Sequence, residues 1–163
     1  MIDRQMNYLY KNGEFDTDTV ATAYSWCGGS PVGIKDAGDG TPLVTAEFLA
    51  TGAIGYIGIA AHSQARDLAQ TGKSTYYKAP VIFTLSVSDD EDYQPWATGV
   101  TWAVGDLVRP DFDTSGGILY AVWTNVALTD IGAYYGRVTE VVGTASDPTT
   151  LTIEFFTVPV VTV

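Results

Sequence analysis

Val81-Ile82-Phe83-Thr84-Leu85-Ser86-Val87 is the stretch on which the reading of the fold turns. Val81, Phe83, Leu85 and Val87 fall on one side of an extended chain. Ile82, Thr84 and Ser86 fall on the other, because successive side chains of a strand point to opposite faces. The same alternation returns downstream. Ile118 to Thr124 follows a Ser115-Gly116-Gly117 turn, Tyr134 to Val142 comes next, and Leu151 to Val158 sets Leu151, Ile153 and Phe155 opposite Thr152, Glu154 and Phe156. Upstream, Val20, Thr22, Tyr24 and Trp26 alternate with small residues until Cys27-Gly28-Gly29-Ser30-Pro31 ends the run, since paired Gly and Pro punctuate local structure. Lys35 to Gly40 is a polar turn, and Leu43 to Leu49 resumes the alternation. Gly55 to Ala61 is a small-residue strand whose glycines imply a bulge or a closely approaching neighbour.

One segment reads differently. In His62 to Gln70, Ala65, Leu68 and Ala69 lie at helical spacing, with Ser63 as a cap and Gly72 as a stop, which predicts one short helix of about two turns. The first eighteen residues hold Tyr8, Tyr10 and Phe15 without sustained periodicity and read as an extended N-terminal arm with room for one short strand, an ordinary edge strand of the domain being the competing reading. Ser88 to Pro110 interrupts the strand pattern with Asp89-Asp90-Glu91-Asp92 and the aromatics Tyr93, Trp96 and Trp102. The expected fold is therefore mainly β. It is a single compact barrel or sandwich with one short helix, an arm at 1–18, and a domain at 19–163 that carries an acidic, aromatic insertion at 88–110.

Composition supports this reading. In 163 residues, hydrophobic residues make up 46% and charged ones 17%, enough for one sizeable core, and the 17 Gly, 10 Tyr and 4 Trp suit pleated, half-buried surfaces. The net charge of −11 is uneven: residues 1–78 hold eight acids and six bases, residues 79–163 eleven acids and only Arg109 and Arg137. Such a surface lacks the Lys and Arg that displace counterions from nucleic acid, and anionic membrane surfaces repel it. No run approaches the roughly 18 uninterrupted apolar residues of a membrane helix, and no secretion leader is recognisable, so synthesis in a cytoplasm is expected.

Groups able to do chemistry are sparse. His62 and Cys27 are single residues of their type, which excludes an intramolecular disulfide and a Cys-based zinc site. His62 has no orienting acid or nucleophile nearby in sequence, and Cys27 has no basic neighbour, so it reads as a small buried hydrophobe. Gly28 to Gly33 lacks the Lys-Ser/Thr of a phosphate loop. The acid groups Asp89 to Asp92, Asp36 with Asp39, and Asp111 with Asp113 do not follow a calcium-loop pattern and read as solvated loops. The expectation is no enzyme, no cofactor and no metal.

Four segments in order carry a resemblance: Gly55-Tyr56-Ile57-Gly58-Ile59-Ala60, Gly105-Asp106-Leu107-Val108, Gly136-Arg137-Val138-Thr139-Glu140-Val141 and Leu151-Thr152-Ile153-Glu154-Phe155. Together they resemble the small capsid decoration, or cement, proteins of tailed bacteriophages. The chain departs from that pattern in its insertion at Ser88–Pro110 and in Tyr134-Tyr135, where Ile is usual. The resemblance implies a compact β-barrel that binds the major capsid protein on the outer surface of the virion, commonly as a homotrimer. Tyr8, Tyr10, Phe15, Tyr93, Trp96 and Trp102 are the candidate contact residues, with core packing as the competing reading for Trp96 and Trp102. Deleting residues 1–18 is expected to leave the domain folded and to weaken attachment. Two other readings stay open: another virion part from the tail, collar or fibre, and a carbohydrate-binding module with Trp96, Trp102 and Trp123 as its platform.

Overall fold

A computed structural model of the protein describes residues 10–15, 24–36, 42–45, 56–60, 64–66, 73–78, 82–86, 94–115, 118–126 and 132–162. All regular elements among them are strands: β1 (Tyr10–Phe15), β2 (Tyr24–Trp26), β3 (Pro31–Asp36), β4 (Pro42–Thr45), β5 (Tyr56–Ala60), β6 (Gln64–Arg66), β7 (Lys73–Lys78), β8 (Ile82–Ser86), β9 (Leu107–Ser115), β10 (Ile118–Val126), β11 (Gly132–Thr144) and β12 (Asp147–Thr162). The mainly-β expectation holds.

Two sheets divide the strands. The first runs β1-β4-β3-β5-β7 and closes into a barrel, because β1 pairs with β4 in parallel and with β7 in antiparallel, from Tyr10 opposite Tyr77 to Glu14 opposite Lys73. The second has seven strands in the order β6-β2-β10-β9-β11-β12-β8. Its centre is two long hairpins. In the first, Ser115 faces Ile118 across a two-residue connection; in the second, Thr144 faces Asp147.

Alternation predicted the faces correctly where it was clean. Leu85 is buried and Thr84 exposed in β8, while Leu151, Ile153 and Phe155 are buried and Glu154 exposed in β12. Gly58 in β5 answers the close approach expected there, since a Cβ at that position would lie 2.9 Å from the Tyr76 ring on β7.

Three expectations are corrected. The segment read as a helix contains β6, antiparallel to β2 with Tyr24 opposite Arg66 and Trp26 opposite Gln64. Two turns of helix are marginal without packing, and pairing with a neighbouring strand outweighs so weak a local preference. His62 and the rest of that segment lie outside the described residues. Residues 10–15 of the expected arm are a strand bonded on both sides, so deletion of 1–18 would open the barrel and bare the edges of β4 and β7. The strand alternative is thus the one that holds for residues 10–15, though with partners on both sides and not at an edge; backbone pairing needs no side-chain period, which is why the pattern could not place it. Finally, the end of the expected insertion, Leu107 to Pro110, is the start of β9.

Pro110 inside a strand has a specific cause. It lies opposite Trp123, whose own backbone bonds point the other way: Trp123 N donates to the Pro95 carbonyl at 2.9 Å and Ala97 N donates to the Trp123 carbonyl at 2.8 Å. Proline therefore costs no bond to β10 at this position.

The core gathers on the inner side of the second sheet. Trp96, Trp102, Trp123, Val108, Val138, Leu85, Leu151, Ile153 and Phe155 form one cluster, joined by Ile59 from β5. Trp123 and Phe155 stack at a tilt of 50° with centroids 4.8 Å apart. Each such ring removes a large apolar area from water, contributing about 2–3 kcal/mol.

Candidate functional site

The turn Cys27–Ser30 joins the two sheets. Ser30 N donates to the Cys27 carbonyl at 3.0 Å, and Gly29 at the third position has φ of 94°, which a side chain rarely tolerates. A Cβ on Gly29 would also sit 2.5 Å from the Leu85 side chain. Gly29 N donates to the Ala60 carbonyl and Ala60 N to the Ser30 carbonyl, both at 2.8 Å, tying the turn to β5. Trp123 Nε1 donates to the Gly29 carbonyl at 2.8 Å, tying it to β10. Cys27 N donates to Ser30 Oγ at 3.1 Å, and Cys27 Sγ lies 3.3 Å from the same hydroxyl. Burial pushes the Cys27 thiol up to about 11, against a smaller lowering by the Ser30 hydroxyl. At neutral pH it is an uncharged thiol in the core, as the sequence implied, and a poor nucleophile.

The second irregular segment, Pro95–Asp106, is pinned along its whole length. Asp113 Oδ2 accepts from Thr98 N at 3.1 Å and from Thr98 Oγ1 at 3.2 Å. Asn125 Nδ2 donates to the Thr101 carbonyl at 2.6 Å and to Asp106 Oδ2 at 2.9 Å, while the same carboxylate oxygen accepts from Ala103 N at 2.8 Å. Trp102 N donates to the Ala145 carbonyl, Gly105 N to the Val138 carbonyl, and Val138 N to the Asp106 carbonyl, each at 2.8 Å. The Asp106 and Asp113 carboxylates are thus occupied with holding backbone. Among the described residues, no three or more of His, Cys, Asp and Glu gather as a metal site would require.

These bonds decide which side chains face inward. Trp96 is 0% and Trp102 2% exposed, so both belong to the core and neither presents a surface to a partner. Trp123 is 0% exposed as well, which removes the stacking platform that the carbohydrate-binding reading needs. Of the other candidate contacts, Tyr8 and Tyr93 lie outside the described residues, as do Asp39 and Asp89 to Asp92. Tyr10 and Phe15 are the two ends of β1, opposite Tyr77 and Val44.

What the loop shows to solvent is different in kind. Thr98, Gly99, Thr101, Ala103, Val104 and Gly105 are exposed, and beside them stands the tip of the β11–β12 hairpin, exposed from Val142 to Asp147. Val104 is 67% and Val142 46% exposed, and they are the large hydrophobic side chains that stand out from the described surface. The hydrogen bonds of Trp102 to Ala145 and of Gly105 to Val138 bring the two segments together into one corner. Neither Trp96–Gly105 nor Val141–Ser146 contains an ionisable side chain. Sequence reasoning passed over this corner. Its signal was the absence of charge from two runs in the acidic half of the chain.

This corner offers shape and apolar contact, with the Asp113 and Asp106 carboxylates bonded to its backbone at Thr98 and Ala103. Compared with protein-family models, with curated proteins and with solved structures, the chain matches none.

Proposed function

We propose that this chain is a non-enzymatic structural protein of a tailed-phage virion that binds the outer surface of the capsid and stabilises contacts between capsomers. The observation that carries this reading is the way the four resembling segments assemble. Gly105–Val108 opens β9, whose Val108 and Leu107 lie opposite Gly136 and Arg137 of β11, and β11 in turn pairs with Leu151–Phe155 of β12. The fourth segment, in β5, contributes Ile59 to the same core cluster as Val108, Val138, Leu151, Ile153 and Phe155. Segments spread from Gly55 to Phe155 thus pack as one unit, which supports reading them as one pattern.

The charge fits the role. A net charge of −11 keeps particles dispersed and does not hold DNA on their exterior. On this reading the partner is the major capsid protein, the assembly is a homotrimer, and the protein is made in the host cytoplasm and ends on the virion surface. No cofactor is involved. With Trp96 and Trp102 inside, the contact surface moves to residues on the outside of the fold.

The test is sedimentation of the purified protein with phage heads stripped of decoration. Co-sedimentation that saturates at a fixed ratio to the major capsid protein is the expected result. A protein that stays in the supernatant at all ratios sinks the reading and leaves a tail, collar or fibre component as the better proposal.

A further inference from the structure

We infer that two copies of this chain pair edge to edge along β8, antiparallel about a two-fold axis at Thr84, so that their second sheets join into one. The inference goes beyond the capsid reading and does not rest on it, and its contact is separate from any around a threefold axis.

β8 is the last strand of the second sheet. On one side it pairs with β12 without a register shift, from Ile82 opposite Glu154 to Ser86 opposite Thr150. Among the described residues, no strand runs along its other side. In a regular antiparallel ladder, successive residues turn their backbone N–H and C=O to alternate sides. Of Thr84 and Leu85, therefore, one bonds β12 and the other faces the open side. Such a row of donors and acceptors is a template for another strand, and proteins ordinarily guard it by shortness, charge, proline or a bulge. The opposite edge of the sheet is guarded in this way, since β6 is three residues long and ends on Arg66. β8 has none of these guards. It is five residues of high strand propensity, with no proline inside it, no bulge against β12, and no charged residue from Ala79 to Ser88. Thr84, at its middle, is exposed.

The order of charges along the chain selects the occupant. Lys78, the one base between Ser74 and Val108, precedes this uncharged run, and Asp89-Asp90-Glu91-Asp92 follows it. A parallel neighbour would set acid run beside acid run. An antiparallel one sets the basic flank of each strand towards the acidic flank of the other. The partner that fits this edge therefore reads base, uncharged strand, acid run in that order, and the chain contains that order itself. Two copies at −11 repel overall, so a contact between them needs opposite charges set against each other, and the two-fold arrangement supplies that match twice.

The experiment is position-specific cross-linking of the full chain in a Cys27→Ala background, by mild oxidation with diamide and a non-reducing denaturing gel. Residues directly opposite in an antiparallel pair have Cα atoms about 4.5–5.5 Å apart, inside the roughly 4.4–6.8 Å that a disulfide spans. Thr84→Cys is expected to give a covalent dimer at least about tenfold faster than Thr139→Cys, which is exposed on an inner strand of the same sheet. Adding Lys78→Glu should slow the Thr84→Cys reaction several-fold. In sedimentation velocity with Cys27 in place, Thr84→Lys, which puts a guard on the edge, should weaken self-association by about tenfold or more. Circular dichroism and the unfolding midpoint check that each variant is folded. Cross-linking at Thr84 no faster than at Thr139, or association that Thr84→Lys leaves intact, would overturn the inference. A rate that Lys78→Glu does not change would overturn the choice of a second copy as the partner.

Discussion

The turn Cys27–Ser30 sends its hydrogen bonds across the molecule to Ala60 and Trp123, whereas the loop Pro95–Asp106 sends most of its own back to the strands that follow it, through Asp113, Trp123, Asn125 and Val138. Both are irregular, and both are firmly held. The turn buries Cys27, Gly29 and Ser30, leaves Gly28 exposed, and joins one sheet to the other. The loop fills the core with Trp96 and Trp102 and leaves its other side to solvent. Rigidity in the first therefore serves the fold, and in the second it also fixes an exposed surface.

The largest effects should come from the turn's side of this comparison. Trp123→Ala empties a fully buried site in the central cluster and is expected to cost about 3–5 kcal/mol in urea unfolding. A sharper version compares two phenylalanine substitutions. Trp123→Phe strands the buried Gly29 carbonyl and should cost about 1–3 kcal/mol beyond the loss of ring volume. Trp96 has an indole Nε1 that is buried with no hydrogen-bond partner, so Trp96→Phe forfeits no such bond and should be clearly the milder change. Equal costs for the two would show that the link between turn and strand matters less than packing.

Next in size is Gly29→Ala. An alanine at φ of 94° is strained, and its Cβ collides with Leu85, so a loss of about 2–4 kcal/mol is expected from the two causes together. The matching change in the loop is Gly99→Ala, where φ is 74° but nothing lies within 4 Å of the added Cβ. Only the backbone term remains there, about 1–2 kcal/mol. Thermal unfolding of the pair separates conformational strain from steric conflict.

Somewhat smaller is the pH dependence that the turn confers. The Cys27 thiol titrates at about 11 in the folded chain against 9.0 when unperturbed, so the fold favours the neutral form. Its contribution is complete below pH 9.0 and is lost as pH rises towards about 11, a fall of about 2–3 kcal/mol. Burial raises the Tyr135 phenol too, with the same sign, so the wild-type slope is compared with that of Cys27→Ala. The variant should show a shallower decline between those pH values. Parallel curves would mean that the thiol is not protected in the folded state.

How much of this was legible in the sequence follows from what kind of information fixes each feature. Alternation identified the buried faces of β8 and β12 because period two is local: Leu85 and Thr84, or Ile153 and Glu154, announce their sides by order alone. The paired Gly28-Gly29 announced a turn, and the lack of a basic neighbour announced an inert Cys27. Distance in sequence is what hid the rest. The strand at Gln64–Arg66 is decided by its pairing to β2 some forty residues earlier, and β1 by pairing with β4 and β7. In the loop no period tells Trp102 from Val104. Their directions are set by Asn125, Asp106 and Ala145, none of which a local pattern connects to them. Trp96 and Trp102 were offered as contact residues with core packing as the competing reading, and the structure decides for the core, while Val104 was passed over.

The smallest expected effect on stability completes the comparison from the loop's outer side. Val104 projects into solvent between a loop and a hairpin that are already bonded at Trp102–Ala145 and Gly105–Val138. Val104→Asp alone should therefore change unfolding free energy by no more than about 0.5 kcal/mol, the usual range for a surface position away from caps, cavities and ion pairs. Asp113→Ala, by contrast, removes the acceptor of both Thr98 bonds and should cost about 1 kcal/mol. It should also loosen the corner, which faster amide exchange at Thr98 would report. If Val104→Asp proved as costly as Asp113→Ala in the free chain, Val104 would be holding the fold itself, and the division between an inner side that packs and an outer side left free for contact would fail at the residue that best represents it.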